Sequence, residues 1–256
     1  MRTDKDREKA FLADAFVRTE QALGARAVAA LAKARVAIIG VGGVGGWCAE
    51  ALARTGIGSI FIVDPDRVAP SNVNRQIMAT SKTVGEYKVI SLEKRLLEIN
   101  PALKVDLSVE RYSKDTAENF SLENFDCVVD AIDSLDDKAD LIVHVTSLVR
   151  PTLFSSMGAA MRRDPFSITK DEFWNIKGDA LARSLRSKFR KSGVYPKRKF
   201  KCVYSRESPS KPTDAPAISE KRAYGSLVHV SAIFGLALAG MVIDDILLKL
   251  EDERMC

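Results

Sequence analysis

Gly40, Gly42, Gly43 and Gly45 belong to the run Gly40-Val41-Gly42-Gly43-Val44-Gly45-Gly46, and Asp64 closes a later apolar run, Ser59-Ile60-Phe61-Ile62-Val63. Asp66, Ser71-Asn72-Val73-Asn74-Arg75-Gln76 and Lys88 follow, and Asp133 ends Asp130-Ala131-Ile132-Asp133. Closely spaced glycines let backbone N–H groups approach a phosphate, and a helix start adds aligned dipoles. An aspartate at the tip of the second strand can accept hydrogen bonds from a ribose. A dinucleotide pocket has no need of an arginine and a lysine at the positions of Arg75 and Lys88. A triphosphate does, because its charge must be offset, most of all when pyrophosphate leaves. A carboxylate at Asp133 could hold Mg²⁺ bound to the phosphates.

The surrounding elements must place these residues at one edge. Val36-Ala37-Ile38-Ile39 reads as a strand, residues 47–54 as a helix and residues 59–63 as a second strand, the layout of a nucleotide-binding βαβ unit. A helix is expected over 85–99, a strand over 103–109, a helix from about Thr116, a strand at 127–129, a helix over 135–149 and a strand over 151–156. Residues 10–33 read as helical, with a break at Leu23-Gly24. The alternation predicts an α/β fold, Rossmann-like and doubly wound, with a mostly parallel sheet and a smaller C-terminal substrate-binding extension. The expected organisation is an N-terminal helical segment at 1–33, a nucleotide-binding domain at 34–157, and a basic insertion with a C-terminal apolar helix at 158–256.

The glycine run, D-x-D-x-V-x-x-S-N-x-N-R-Q, the lysine thirteen residues after Arg75 and the D-A-I-D strand end resemble the adenylating family of ubiquitin-activating enzymes. Residues 50–58, 71–76 and 225–228 are most similar to its branch of tRNA threonylcarbamoyladenosine dehydratases. The resemblance implies that Gly40, Gly42, Gly43 and Gly45 line the phosphates and that Asp64 holds the ribose, with Asp66 supporting the loop. It implies that Asn72, Arg75 and Lys88 contact phosphates and that Asp133 binds Mg²⁺ or positions ATP. Arg18 matches a family arginine that reaches into the partner subunit's site, which would make a homodimer obligatory. The implied reaction is ATP-dependent dehydration of the modified adenosine next to the anticodon, through an adenylated threonyl carboxylate. The resemblance also leaves room for a bound monovalent cation and for a cysteine-desulfurase or sulfur-acceptor partner.

Residues 180–206 hold ten Lys or Arg and no acid, against a whole-chain net charge of only +5. Arg186, Arg190, Lys197, Arg198, Lys199 and Lys201 are the expected tRNA contacts, with Phe189, Tyr195, Phe200 and Tyr204 interleaved as stacking candidates. Cys48, Cys127, Cys202 and Cys256 form no C-x-x-C pair, so no zinc site of the usual spacing is expected, and the compartment is expected to be reducing and cytoplasmic. Cys202 is expected to be a small core residue on a strand. His144 and His229 are expected to be structural, and Asp136 and Asp137 to be a solvated helix start. Residues 208–216, rich in proline, read as a mobile loop. The apolar run at 225–243 is expected to be a helix buried against the sheet, with peripheral membrane contact as the alternative and no stable insertion.

Three other functions share some of these signals. An adenylyltransferase acting on the C-terminal glycine of a ubiquitin-like sulfur carrier would use the same ATP site, and the missing C-x-x-C pairs and the basic block count against it. A nicotinamide-dependent oxidoreductase would not need Arg75, Lys88 and Asp133. A tRNA-binding module without catalysis would not need the triphosphate site.

Overall fold

The computed structural model describes residues 11, 12, 14–209 and 225–255, so most of the proline-rich segment lies outside the described residues. In chain order the elements begin with α1 (Val17–Leu23), α2 (Ala25–Leu31), β1 (Arg35–Ile39), α3 (Gly45–Thr55), β2 (Ser59–Val63), α4 (Lys88–Ile99) and β3 (Lys104–Ser108). They continue with β4 (Cys127–Asp130), α5 (Leu135–Ser147), β5 (Thr152–Ser156), β6 (Ile168–Glu172), α6 (Ala180–Ser192), β7 (Lys201–Ser205) and α7 (Val228–Met255).

The strands form one seven-stranded sheet in the order β3-β2-β1-β4-β5-β7-β6. β1 to β5 and β7 run parallel, and β6 pairs antiparallel with β7. The strand order reverses between β1 and β4, which is where a doubly wound sheet opens a crevice at the carboxyl ends of its strands. The sheet's central strands are apolar on both faces, as helices on both sides require: Val36, Ala37, Ile38, Val128 and Val129 are fully buried. Two apolar clusters result. One joins β1, α3, α4 and α7, and the other joins β4, α5, α6 and the segment around Phe173.

Two helices and one strand differ from the sequence expectation. α4 starts at Lys88, not Gly85, because Gly85 is left-handed (φ 92°) and Tyr87 is extended. The helix expected from Thr116 is only two short 3₁₀ turns, Ala117–Phe120 and Leu122–Asn124, separated by a left-handed Ser121. The antiparallel strand β6 was not anticipated. The N-terminal break falls at Gly24 (φ 86°).

α7 is long and apolar enough to cross a membrane, and 56% of its most apolar window is buried within the protein. It lies tightly on α3. A Cβ on Gly235 would sit 2.8 Å from Trp47 Cβ and 2.9 Å from the Cys48 backbone nitrogen, and would overlap the Val44 carbonyl oxygen. Backbone atoms cannot retreat as a flexible side chain can. Gly235→Ala should therefore lower stability by about 1–3 kcal/mol, the usual cost of overpacking. Thermal denaturation checks this, and an unchanged melting temperature would contradict the close helix contact.

Candidate functional site

The glycine turn is shaped by contact of backbone with backbone. Gly40 has φ 90°, and a Cβ there would lie 2.8 Å from the Ala131 carbonyl oxygen. A Cβ on Gly45 would overlap the Gly40 carbonyl oxygen. These two glycines therefore serve the fold, letting α3 begin directly above β1 and letting the loop after β4 press against the turn. Gly42 and Gly43 are partly open, with only the Gln76 and Arg75 side chains and Ser231 near them. They are the positions where a phosphate could approach the backbone.

Asp64, at the end of β2, is buried. Its Oδ2 accepts the Val41 N–H of the turn at 2.9 Å, and its Oδ1 accepts the Asp66 N–H at 3.0 Å. Lys88 Nζ lies 3.3 Å from Asp64 Oδ1 and 2.7 Å from Asp66 Oδ2. A lysine at the first position of a helix opposes the helix dipole, and these two carboxylates compensate it. Burial pushes the Asp64 carboxyl above its ordinary range, against the pull of Lys88 and of the two backbone donors. The Asp66 side chain thus ties the loop after β2 to the start of α4 through Lys88.

The segment between β2 and α4 holds the remaining candidates. Asn72 Oδ1 accepts the Ala69 N–H at 3.0 Å, fixing the turn. Trp47 Nε1 on α3 donates to the Arg75 carbonyl at 3.0 Å, which draws this segment to the glycine turn. Arg75 Nη1 donates to Ser71 O and to Asn74 Oδ1, both at 2.9 Å, and Arg75 Cγ would lie 3.2 Å from a Cβ on Gly43.

Asp133 is exposed on the loop after β4, the loop that touches Gly40. Beneath it lies a pair that the sequence reading missed. Asp130 and Lys138 are both fully buried, with Lys138 Nζ 2.8 Å from Asp130 Oδ2. Ser155 Oγ donates to the same oxygen at 2.6 Å, Ile132 N donates to Asp130 Oδ1 at 3.1 Å, and Lys138 Nζ donates to Ile132 O at 2.9 Å. The pair therefore clamps the loop that presents Asp133. Its signal was available: Lys138 shares a helical face with Leu141, Ile142 and Val145, an odd place for a lysine.

The structure brings Gly40, Gly42, Gly43, Gly45, Asp64, Asp66, Asn72, Arg75, Lys88 and the Asp133 loop together at the carboxyl edge of the sheet. It does not bring the basic block there. Lys197, Lys199 and Lys201 precede or open β7 and so lie at the opposite, amino edge, about 15 Å of strand away. Arg198 is exposed, and its guanidinium is engaged by the protein: it donates to Val145 O at 3.0 Å, Thr146 O at 3.2 Å and Pro151 O at 2.8 Å, capping α5. Arg186 is largely engaged as well, donating to Phe173 O at 3.2 Å and lying over the Phe173 ring. Arg190 is exposed. Phe189, Phe200 and Tyr204 are buried core residues, which overturns them as base-stacking candidates; Tyr195 alone of the four is exposed.

Arg18 is exposed on α1, and Phe16 just before this helix lies against Gly56 at the end of α3 remote from the glycine turn. Asp137 is not solvated but buried, paired with Arg111 at 2.7 Å, and Asp136 pairs with Lys188 at 2.7 Å. His144 bonds the Tyr112 hydroxyl at 2.8 Å and His229 the Arg163 carbonyl at 2.9 Å. Cys202 is fully buried in β7, and burial pushes its thiol well up, which suits a core residue and not a nucleophile.

The geometry gathers partly open glycine backbone, two cationic side chains and two exposed carboxylates, Asp66 and Asp133, at one edge. Among the described residues no three His, Cys, Asp or Glu side chains cluster to hold a metal by themselves. One carboxylate beside a phosphate site suits Mg²⁺, which is commonly held by one or two carboxylates together with substrate phosphates.

The chain matches the ThiF family over residues 17–249. It is 35% identical over 250 residues to the tRNA threonylcarbamoyladenosine dehydratase of Bacillus subtilis, covering 94% of this chain and 97% of the relative. It is 32% identical to the sulfur carrier protein adenylyltransferase of Thermus thermophilus over 127 residues, which is 50% of this chain and 46% of that protein. The crystal structure of the Escherichia coli tRNA N6-threonylcarbamoyladenosine dehydratase in complex with ATP has a TM-score of 0.85 at 30% identity, covering 98% of both chains.

Breaking a buried pair by removing one partner leaves an uncompensated charge, at a cost of about 3–5 kcal/mol. Lys138→Met should lose that much stability in chemical denaturation. A loss under about 1 kcal/mol would mean that the pair does not clamp the loop.

Proposed function

The chain belongs to the ThiF family, and from that premise we propose that it uses ATP to dehydrate N6-threonylcarbamoyladenosine in tRNA. One observation carries the choice of substrate. The likeness to the named dehydratases runs through both halves of the chain, whereas the likeness to the sulfur carrier adenylyltransferase spans only half.

A carboxylate is a poor electrophile, because its charge repels nucleophiles and oxide is a bad leaving group. In the proposed reaction a threonyl carboxylate oxygen attacks the α-phosphorus of ATP and pyrophosphate leaves. Gly42 and Gly43 offer backbone donors to the phosphates, and Asp64 orients the ribose. Arg75 and Lys88 turn from their internal partners to offset the charge that develops. Asp133 is the residue to hold Mg²⁺, which when bound would supply further neutralisation of phosphate charge. The neighbouring ureido group then attacks the activated carbonyl, a proton is lost and AMP departs with the original carboxylate oxygen. The net change is loss of one water. Attack within one nucleoside needs little beyond positioning, and no enzyme nucleophile is required.

Arg18 supports a shared site in a homodimer, since it has no role within its own protomer's cluster. Among the expected tRNA contacts, the exposed Arg190, Lys197, Lys199 and Lys201 suit the tRNA body more than the reacting nucleoside, given the edge on which three of them lie. A tRNA substrate and ATP imply a cytoplasmic setting.

The test is to incubate the protein with ATP, Mg²⁺ and tRNA bearing the threonylcarbamoyl group, then weigh the nucleosides after mild digestion. The expected product is one water lighter and forms only with ATP; an unchanged nucleoside would refute the substrate. Arg75→Ala and Lys88→Ala should each lower turnover by about a hundredfold or more with the fold intact, and near-normal rates would remove them from the phosphate site. Arg18→Ala and Asp133→Ala proteins, each inactive, should regain part of the activity when mixed through hybrid dimers. No recovery would argue against a shared site.

A further inference from the structure

The segment that follows β5 at the carboxyl edge, residues 158–163, has no part in the ATP cluster but adjoins it. The Met161 N–H donates to Gly225 O at 2.8 Å, and the next carbonyl along, that of Ser226, accepts Asn74 Nδ2 at 2.9 Å. Met161 holds φ 60°, a left-handed conformation that a non-glycine residue adopts at a cost. The residue it places is Arg162, whose relative exposure is 2%. Arg162 Nη2 reaches Asp179 Oδ2 at 3.4 Å, while Nε and Nη1 are shut off from water and have no hydrogen-bond partner among the described residues. Asp179 cannot complete the set, since its Oδ1 already caps α6 through the Ala182 N–H at 2.9 Å. The other carboxylate that feels the Arg162 charge, Glu207, is taken up by the Arg163 and Asp164 N–H groups at 2.8 and 2.9 Å.

A buried guanidinium with two nitrogens unsatisfied is costly and calls for an acceptor. A planar guanidinium presents paired donors that match a carboxylate's two oxygens. We propose that Arg162 is the substrate-carboxylate binding residue: when substrate enters between the end of β5 and the segment before α7, its carboxylate takes the unpaired donors of Arg162. This deepens the dehydratase reading and rests on it. The carboxylate is the group that must approach the polyanionic triphosphate, and Arg162 offers it a cation beside the phosphate cluster. Met161 is the strained position about which the segment can turn to uncover that cation.

The test compares the unsubstituted protein with Arg162→Gln and Arg162→Lys on threonylcarbamoylated tRNA, with ATP binding measured by calorimetry and stability by thermal melting. Arg162→Gln should raise KM for the tRNA about thirtyfold or more, as expected for removing one partner of a desolvated charge pair. ATP affinity should stay within about twofold, while the melting temperature falls because Asp179 is left buried without its charge partner. Arg162→Lys should give an intermediate KM. An unchanged KM in Arg162→Gln, or ATP and tRNA affinities falling together, overturns the assignment and leaves Arg162 a structural partner of Asp179. If the unsubstituted protein removes no water from this tRNA, the dehydratase reading itself is refuted and the Arg162 proposal falls with it.

Discussion

Asp64 is buried, and the protein itself uses both oxygens of its carboxylate. One oxygen holds the Val41 N–H of the glycine turn, and the other holds the Asp66 N–H and faces Lys88. Through this single side chain the end of β1, the end of β2 and the start of α4 are fixed relative to one another. The cost of burying a carboxylate is visible in its raised pKa, and Lys88 and two backbone donors offset it. The cluster is therefore held by a charge balance, and in the proposed reaction nucleotide enters by exchanging partners within it.

The same device appears across the switch in strand order. The Asp130–Lys138 pair, with Ser155, braces the loop of Asp133 from below, while Gly40 packs against Ala131 of that loop. Buried pairs of this kind contribute little net stability against an apolar alternative, but losing one partner is expensive. Their use here is geometric: they hold the functional loops at fixed heights above the sheet. α7 completes the arrangement from the other side, where Gly235 allows it to lie close on α3 and Ser231 comes near Gly43.

Much of this was legible in the sequence because its signals are local. A glycine turn between an apolar strand and a helix, an aspartate at the next strand end and the spacing of Asn72, Arg75 and Lys88 each report on a few neighbouring residues, and local patterns survive folding. The parallel sheet followed from the same alternation. What was not legible depends on contacts distant in sequence. Arg198 and Phe200 look alike to composition-based reasoning, as members of one basic, aromatic stretch, yet Phe200 is core and Arg198 caps a helix some fifty residues away. The direction of β7 puts Lys197, Lys199 and Lys201 at the edge opposite the glycine turn, and no local pattern reports direction. Arg162 gave no signal at all, because an isolated arginine reads as surface until its burial is known.

In the proposed reaction a carboxylate is activated by adenylation at the edge where Asp64, Arg75 and Lys88 meet. The most direct measurement follows an oxygen atom. Modified tRNA whose threonyl carboxylate carries ¹⁸O would be turned over with ATP, and the nucleotide products weighed. Adenylation predicts that AMP gains one ¹⁸O, since the carboxylate oxygen leaves on phosphorus, with pyrophosphate unlabelled. Label in inorganic phosphate with ADP as co-product, or label released only to water, would contradict the account.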